Sequence, residues 1–181
     1  MCELVNVVGG GEFRTQLPLE QIYHKIEAET KNYEPEQFAG LVMTYSKAGP
    51  TLTLFSSGNY HIAGAKYVDE MKIVFNEFAE QLEEKNFISS SSNAQPEVRN
   101  RVYVEEIGHE LELEAFLPHL GFENTEYSPD QFPGLFYQTE AGGTIILFRS
   151  GKFVLTGISD KLLSIETIKK FKKEILDLVD T

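Results

Sequence analysis

The sequence predicts an α+β fold built from two tandem pseudo-symmetric repeats, each with antiparallel strands covered on one face by helices. Three observations carry this. The chain repeats itself in order along nearly its whole length. Short runs alternate apolar and polar residues, while one long run in each repeat has helical spacing. Glycine turns separate consecutive short runs.

The repeat is direct. Tyr33-Glu34-Pro35-Glu36-Gln37-Phe38-Ala39-Gly40-Leu41 returns as Tyr127-Ser128-Pro129-Asp130-Gln131-Phe132-Pro133-Gly134-Leu135. Leu54-Phe55-Ser56-Ser57-Gly58 returns as Leu147-Phe148-Arg149-Ser150-Gly151, and Ile62-Ala63-Gly64 as Leu155-Thr156-Gly157. Val5-Asn6-Val7-Val8 corresponds to Arg99-Asn100-Arg101-Val102. The polar stretch Ser89-Ser90-Ser91-Ser92-Asn93-Ala94-Gln95-Pro96 reads as a join. The expected organisation is a first repeat over 1–88, a linker over 89–97 and a second repeat over 98–181.

Each repeat opens on a strand, near Leu4–Gly10 and Asn100–Glu106. A short helix follows over Leu19–Glu29, with Leu19, Ile22, Tyr23 and Ile26 on one face; its partner lies near Glu112–Leu120. Strands are expected over Leu41–Tyr45, Thr51–Ser56 and His61–Ala65, then Leu135–Thr139, Thr144–Arg149 and Phe153–Gly157. Gly58-Asn59 and Gly151-Lys152 supply hairpin turns. A long helix closes each repeat. In Tyr67–Lys85 the stripe is Met71, Val74, Phe75, Phe78 and Leu82; in Ser164–Val179 it is Ile165, Ile168, Phe171, Ile175 and Leu178. Gly9-Gly10-Gly11 lacks the Gly-Lys-Ser/Thr ending of a phosphate loop, and inside a strand it marks a bulge or a close backbone approach.

Bulk properties narrow the function. The 181 residues can bury a real core, and no run is long and apolar enough to span a membrane. The N-terminus has neither a basic start nor an apolar core, so a secretory signal is not expected. A single cysteine, Cys2, rules out an internal disulfide. His24, His61, His109 and His119 are isolated from one another, so no metal site, cofactor or catalytic residue is expected. The net charge of −12 argues by itself against nucleic acid, but a whole-chain sum does not describe one face.

Strand alternation points at such a face. Leu52, Leu54, Ile145 and Leu147 turn toward the helices; Thr51, Thr53, Phe55, Thr144, Ile146 and Phe148 turn away, as do Val154 and Thr156. An open face is ordinarily polar, and Phe55, Ile146, Phe148 and Val154 are not. Read singly, a strand phenylalanine is more often a core residue, and Asn6 or Asn100 more often bonds neighbouring backbone.

Taken together, Gln37-Phe38, Leu54-Phe55-Ser56-Ser57-Gly58, Gln131-Phe132-Pro133-Gly134-Leu135, Leu147-Phe148-Arg149-Ser150-Gly151-Lys152 and Leu155-Thr156-Gly157 resemble the two halves of an archaeal or eukaryotic TATA-box-binding protein. The resemblance implies a curved antiparallel sheet, a saddle, with helices on its convex face. Its concave face would bind and bend A·T-rich promoter DNA through the minor groove. Minor-groove binders, this family among them, use apolar wedges to unstack base steps. By resemblance the wedges are Phe38 and Phe55, then Phe132 and Phe148. Asn6 and Asn100 match central donors to base acceptors. Val8, Thr53, His61, Ala63, Val102, Ile146, Val154 and Thr156 occupy contact positions, and Lys152 a phosphate contact. The stirrup loop of the second repeat implies a dock for transcription factor B, with Glu126 and Asp130 as acidic contacts, and through that factor an indirect link to RNA polymerase.

The chain departs from the family pattern in ways that weaken cation placement. Thr44 and Gln138 stand where arginines are usual, and Asn59 where a lysine is usual. His61 and Ala63 replace a valine and a threonine, and Thr53 replaces an apolar residue. Arg101, Tyr103 and the three glycines also differ. Each lost cation removes a phosphate contact and its salt dependence. The expected result is asymmetric binding, stronger in the second repeat, with Arg149 as a compensating cation. Protonated His61 would strengthen binding in acid. Lys169, Lys170, Lys172 and Lys173 on the last helix read as a regulator surface or as a solubilising face.

Three functions follow: a transcription initiation factor; a protein-interaction module or regulator of the same fold with weak or no DNA binding; or an accessory domain of a nucleic-acid enzyme. The first implies a cytoplasmic, nucleoid-associated protein in a prokaryote. An apolar open face also makes self-association of the DNA-free protein an expectation.

Overall fold

The computed structural model describes residues 2–179. Contacts divide the chain into two compact units, Asn6–Arg99 and the described parts of Met1–Val5 with Asn100–Thr181. Both units have the α+β build expected, with strand neighbours antiparallel throughout.

In the first unit the strands are β1 (Glu3–Glu12), β2 (Thr30–Asn32), β3 (Gly40–Thr44), β4 (Thr51–Phe55) and β5 (Asn59–Ala65), in spatial order β2-β3-β4-β5-β1. Helices α1 (Leu19–Lys25) and α2 (Val68–Glu84) accompany them. The alternation of β4 is as read: Leu52 and Leu54 are buried while Thr51, Thr53 and Phe55 lie half-open. Helix α2 buries Met71, Val74, Phe75, Phe78, Ala79 and Leu82. Its Phe75 stacks on Tyr60 of β5 with ring centroids 5.3 Å apart, and Phe13 closes the cluster, 5.2 Å from Tyr60 and 6.1 Å from Phe75. Full burial of each large apolar side chain is worth about 1.5–3 kcal/mol, so this layer fixes which face of β5 is covered.

Helix α1 is shorter than its periodicity suggests, ending at Lys25 rather than Glu29. The cause is a side chain of α2. Gln81 Nε2 donates to the carbonyl of Glu27 at 2.8 Å, and its Oε1 accepts from the Glu27 N–H at 2.7 Å. Both backbone groups are thereby drawn out of the helical pattern. Lys31 Nζ of β2 donates to the carbonyls of Tyr23 and Ile26 at 2.6 and 2.9 Å, occupying acceptors at the helix end.

The triple glycine of β1 is both a bulge and a close approach. The β1–β5 register shifts between Val7 and Gly9. A Cβ on Gly9 would stand 2.2 Å from Met71 Sδ and 2.7 Å from the Glu97 carbonyl. One on Gly11 would stand 2.7 Å from the Tyr60 hydroxyl, which donates to the Ala94 carbonyl.

In the second unit β6 (Glu97–Glu106, which enters this unit at Asn100), β7 (Thr125–Glu126), β8 (Gly134–Gln138), β9 (Thr144–Phe148) and β10 (Lys152–Ile158) run in the order β6-β10-β9-β8-β7. Helix α4 (Lys161–Val179) buries Ser164, Ile168, Phe171 and Ile175, with Ile165 only half-covered. Asp160 caps it, its Oδ1 accepting from Leu163 N at 2.7 Å. The helix expected over Glu112–Leu120 is instead a 3₁₀ turn, Leu113–Phe116, followed by the single-turn α3 (Leu117–Leu120). Pro118 has no N–H to give to a carbonyl one turn back, so the tighter turn ends where it enters.

Hairpin geometry repeats in both units. Gly58 and Gly151 have φ of +88° and +80°, and each donates its N–H at 2.9 Å to the phenylalanine carbonyl ending the previous strand. No helix among the described residues is long and apolar enough to cross a membrane.

Candidate nucleic-acid interface

Since α2 and α4 cover one face of their sheets, the opposite faces define the candidate site. Each unit carries a pair of phenylalanine rings there. Phe38 and Phe55 have centroids 5.9 Å apart at 68°; Phe132 and Phe148 have centroids 6.0 Å apart at 60°. Phe38 is 50% exposed and Phe132 38%. Two local devices aim these rings. The Glu34 carbonyl accepts from the N–H groups of Gln37 and Phe38 at 2.9 Å, and the Ser128 carbonyl accepts from Gln131 and Phe132 at 2.9 and 3.0 Å. The following glycine then gives the ring a seat. A Cβ on Gly40 would stand 2.6 Å from the Phe38 ring and 2.8 Å from the Thr53 methyl; on Gly134 it would stand 2.7 Å from Phe132 and 2.8 Å from an Ile146 methyl.

The asparagines share a second geometry. Asn6 Oδ1 accepts from Gly64 N at 2.9 Å, and Asn100 Oδ1 from Gly157 N at 2.7 Å. Asn100 Nδ2 also donates to Thr156 Oγ1 at 3.0 Å. The backbone bond thus coexists with an amide oriented by it. Val8 and Val102 are half-buried on the same strands.

The remaining open-face positions differ between units. In the first, Thr53 pairs with Val42 and His61, and Ala63 pairs with Thr51. His61 meets Phe55 edge to face at 5.8 Å. Partial desolvation of its exposed ring by its neighbours, and secondarily the nearby Arg99 charge, lower the His61 pKa below its ordinary value. In the second, Ile146 pairs with Phe136 and Val154, Val154 with Val104, and Thr156 with Thr144. Lys152 is exposed opposite Glu106.

Two residues of these faces escaped the sequence reading. Phe136 adds a third ring, 5.1 Å from Phe132; its signal was the alternation of Leu135 and Phe136 in β8. Arg99 places Nη1 3.0 Å from His61 Nδ1; its signal was the exchange of Val5 for Arg99 between repeats.

Several charges are engaged elsewhere. Arg149, expected as a compensating cation, pairs with Glu114 at 3.2 Å. On α4, Lys170 pairs with Glu140 at 2.6 Å and Lys172 with Glu105 at 3.3 Å, while Lys169 and Lys173 are exposed. Glu126 lies on the outer strand β7 and Asp130 in the turn before Phe132, both exposed. A groove of about 270 Å³ lined by Tyr137, Ala141, Leu163 and Phe171 lies on the helix side, not on the open face. Among the described residues no three His, Cys, Asp or Glu side chains gather as metal ligands.

Duplicated half-sheets with paired apolar rings on their uncovered faces define a class of two-repeat α+β proteins, and comparison with known proteins identifies which one. The family described as Transcription factor TFIID (or TATA-binding protein, TBP) matches residues 1–85 and 95–178. The chain is 30% identical over 178 residues to TATA-box-binding protein C of Halobacterium salinarum, covering 98% of each. It is 34% identical over 177 residues to the TATA-box-binding protein of Methanococcus aeolicus, covering 96% of this chain and 94% of that one. The solved Methanococcus jannaschii TBP superposes with a TM-score of 0.82 at 31% identity, over 97% of this chain and 98% of the other. The chain belongs to the TATA-binding protein family, a family of transcription factors and not of enzymes.

Proposed function

We propose that this protein is a transcription initiation factor that binds A·T-rich promoter DNA in the minor groove, bends it, and presents the bent complex to transcription factor B and so to RNA polymerase. The observation that carries this reading is the duplicated ring pair, each seated on a glycine and each on an uncovered sheet face. Rings held this way suit a wedge at a base step. The oriented amides of Asn6 and Asn100 suit the minor groove of A·T pairs, which offers only acceptors. Val8, Val102, Ile146, Val154 and Thr156 supply apolar contact, Thr53, His61 and Ala63 the more polar contact of the first repeat, and Lys152 a phosphate contact. Glu126 and Asp130 are the contacts offered to factor B.

The test is a titration of an end-labelled, bend-reporting TATA duplex at several salt concentrations, beside a G·C-rich control. Tight, salt-sensitive binding with bending is expected, lost in F132A/F148A. Unbent DNA at low salt, with factor B present, sinks the reading. One observation favours an interaction module with weak DNA binding instead: Arg149 is tied to Glu114, and Thr44, Gln138 and Asn59 carry no charge.

A further inference from the structure

The face of the first repeat carries a feature that the second lacks. His61 of β5 pairs with Gly10 of β1 on one side and Thr53 of β4 on the other, which puts all three on the face away from α2. Gly10 has no side chain, and a Cβ there would meet the Tyr60 carbonyl at 2.3 Å and Arg99 Cζ and Nη1 at 3.3 Å, so the guanidinium lies close beside this strand position. Arg99 Nη1 is 3.0 Å from His61 Nδ1. A guanidinium has no acceptor, so it donates and Nδ1 accepts. The neutral imidazole then carries its proton on Nε2, where it is a donor. The Phe55 ring, 5.8 Å away and nearly perpendicular, flanks the imidazole. The corresponding residues of the second repeat are Val154 for His61, Val104 for Gly10, Ile146 for Thr53 and Val5 for Arg99. Those positions are apolar.

We propose that Arg99 and His61 act as a paired hydrogen-bond donor that reads minor-groove acceptors beneath the first repeat, while the matching site of the second repeat reads by apolar fit alone. Every A·T pair presents adenine N3 and thymine O2 there, so a donor pair gains bonds that an apolar surface does not. Arginine directed into a minor groove also responds to its negative potential. The two repeats would then make unequal demands on their half-sites, and an asymmetric site would be bound in one orientation. This inference rests on the DNA-binding reading above, deepening it at one repeat.

The test uses three self-complementary A·T duplexes and the full chain. One is unmodified. The others carry 3-deazaadenine and 2-thiothymine, which strip the minor-groove acceptors, at the steps flanking the centre in one half or in both. The central pairs stay intact, so contacts of Asn6 and Asn100 are common to all. Wild type is expected to lose about twofold on the half-modified duplex, since it can turn round, and about tenfold on the fully modified one. The variant R99V/H61V, which installs the residues of the second repeat at exposed positions, is expected to bind all three alike. Equal losses by both proteins would overturn the donor pair while leaving DNA binding intact. Failure of wild type to bind even the unmodified duplex at low salt would overturn the DNA-binding reading and this inference with it. An independent check needs no DNA: the ¹⁵N spectrum of the free protein should show His61 protonated at Nε2, and a proton on Nδ1 would refute the pair.

Discussion

Gly157 donates its backbone N–H to Asn100 Oδ1 at 2.7 Å, and this settles which way the carboxamide points. A backbone N–H can only donate, so the oxygen must face it and the NH₂ must face elsewhere. Asn100→Asp keeps the acceptor and removes the amide donor. Its urea-melt stability should stay within about 0.5 kcal/mol of the parent, and its affinity for a TATA duplex should fall about tenfold or more. Asn100→Ala abandons the Gly157 N–H as well and should cost about 1 kcal/mol of stability. Undiminished DNA affinity in the aspartate variant would remove Asn100 from the site.

Gly134 is the seat of Phe132. An alanine methyl there would stand 2.7 Å from that ring and 2.8 Å from Ile146. Phe132 is exposed and can swing away while the Ile146 methyl must also shift, so Gly134→Ala should cost about 1–2 kcal/mol while displacing the ring. DNA bending should drop far more than thermal stability. A variant that bends DNA as the parent does would show that the seat is not needed.

Gly9 is a different case, because its neighbours cannot retreat. The added methyl meets Met71 Sδ at 2.2 Å under α2 and the backbone carbonyl of Glu97 at 2.7 Å. Gly9→Ala should destabilise by about 2 kcal/mol, lowering the Tm by roughly 4–8 °C. Calorimetry of the free protein is sufficient, and an unchanged Tm would contradict the packing described.

His61 has its folded pKa lowered by partial desolvation and then by Arg99. Below its ordinary pKa of about 6.5 the unfolded chain takes up a proton more readily than the folded one. The stability from His61 is therefore complete above that pH and is lost as pH falls through the folded pKa. Urea melts at pH 7.5 and 5.5 should show wild type losing more stability than His61→Val. Protonation also denies Nδ1 to Arg99, so acid should disrupt the pair, against the simpler expectation that a charged His61 strengthens DNA binding.

Residue patterns made much of this legible. Leu52 and Leu54 against Thr53 and Phe55 revealed which side of β4 was covered, because burial in a strand follows period two. The long helices were nearly as plain: Tyr67 and Lys85, the expected ends, are the caps of α2, while α4 begins at Lys161, a turn before the expected Ser164. Strands β2 and β7, of three and two residues, offered no alternation to read. The early end of α1 depends on Gln81, distant in sequence from Glu27, and local periodicity cannot register such a partner. On the candidate face, the Phe38 and Phe55 pair was reached through the family resemblance, with strand alternation turning Phe55 outward. Arg99 was not, since its meeting with His61 depends on a reach past Gly10, to a partner distant in sequence.

The short outer strands have one more effect. A sheet grows into fibrils by adding foreign strands to a free edge, and stable cross-β stacks recruit segments of about six or seven residues. Here the outermost strands, Thr30–Asn32 and Thr125–Glu126, offer templates too brief for that. The ammonium of Lys31 is also folded back onto carbonyls of its own unit, at Tyr23 and Ile26. Such edges discourage amyloid-like growth, so an open sheet face can remain apolar without the sheet margins becoming a seed.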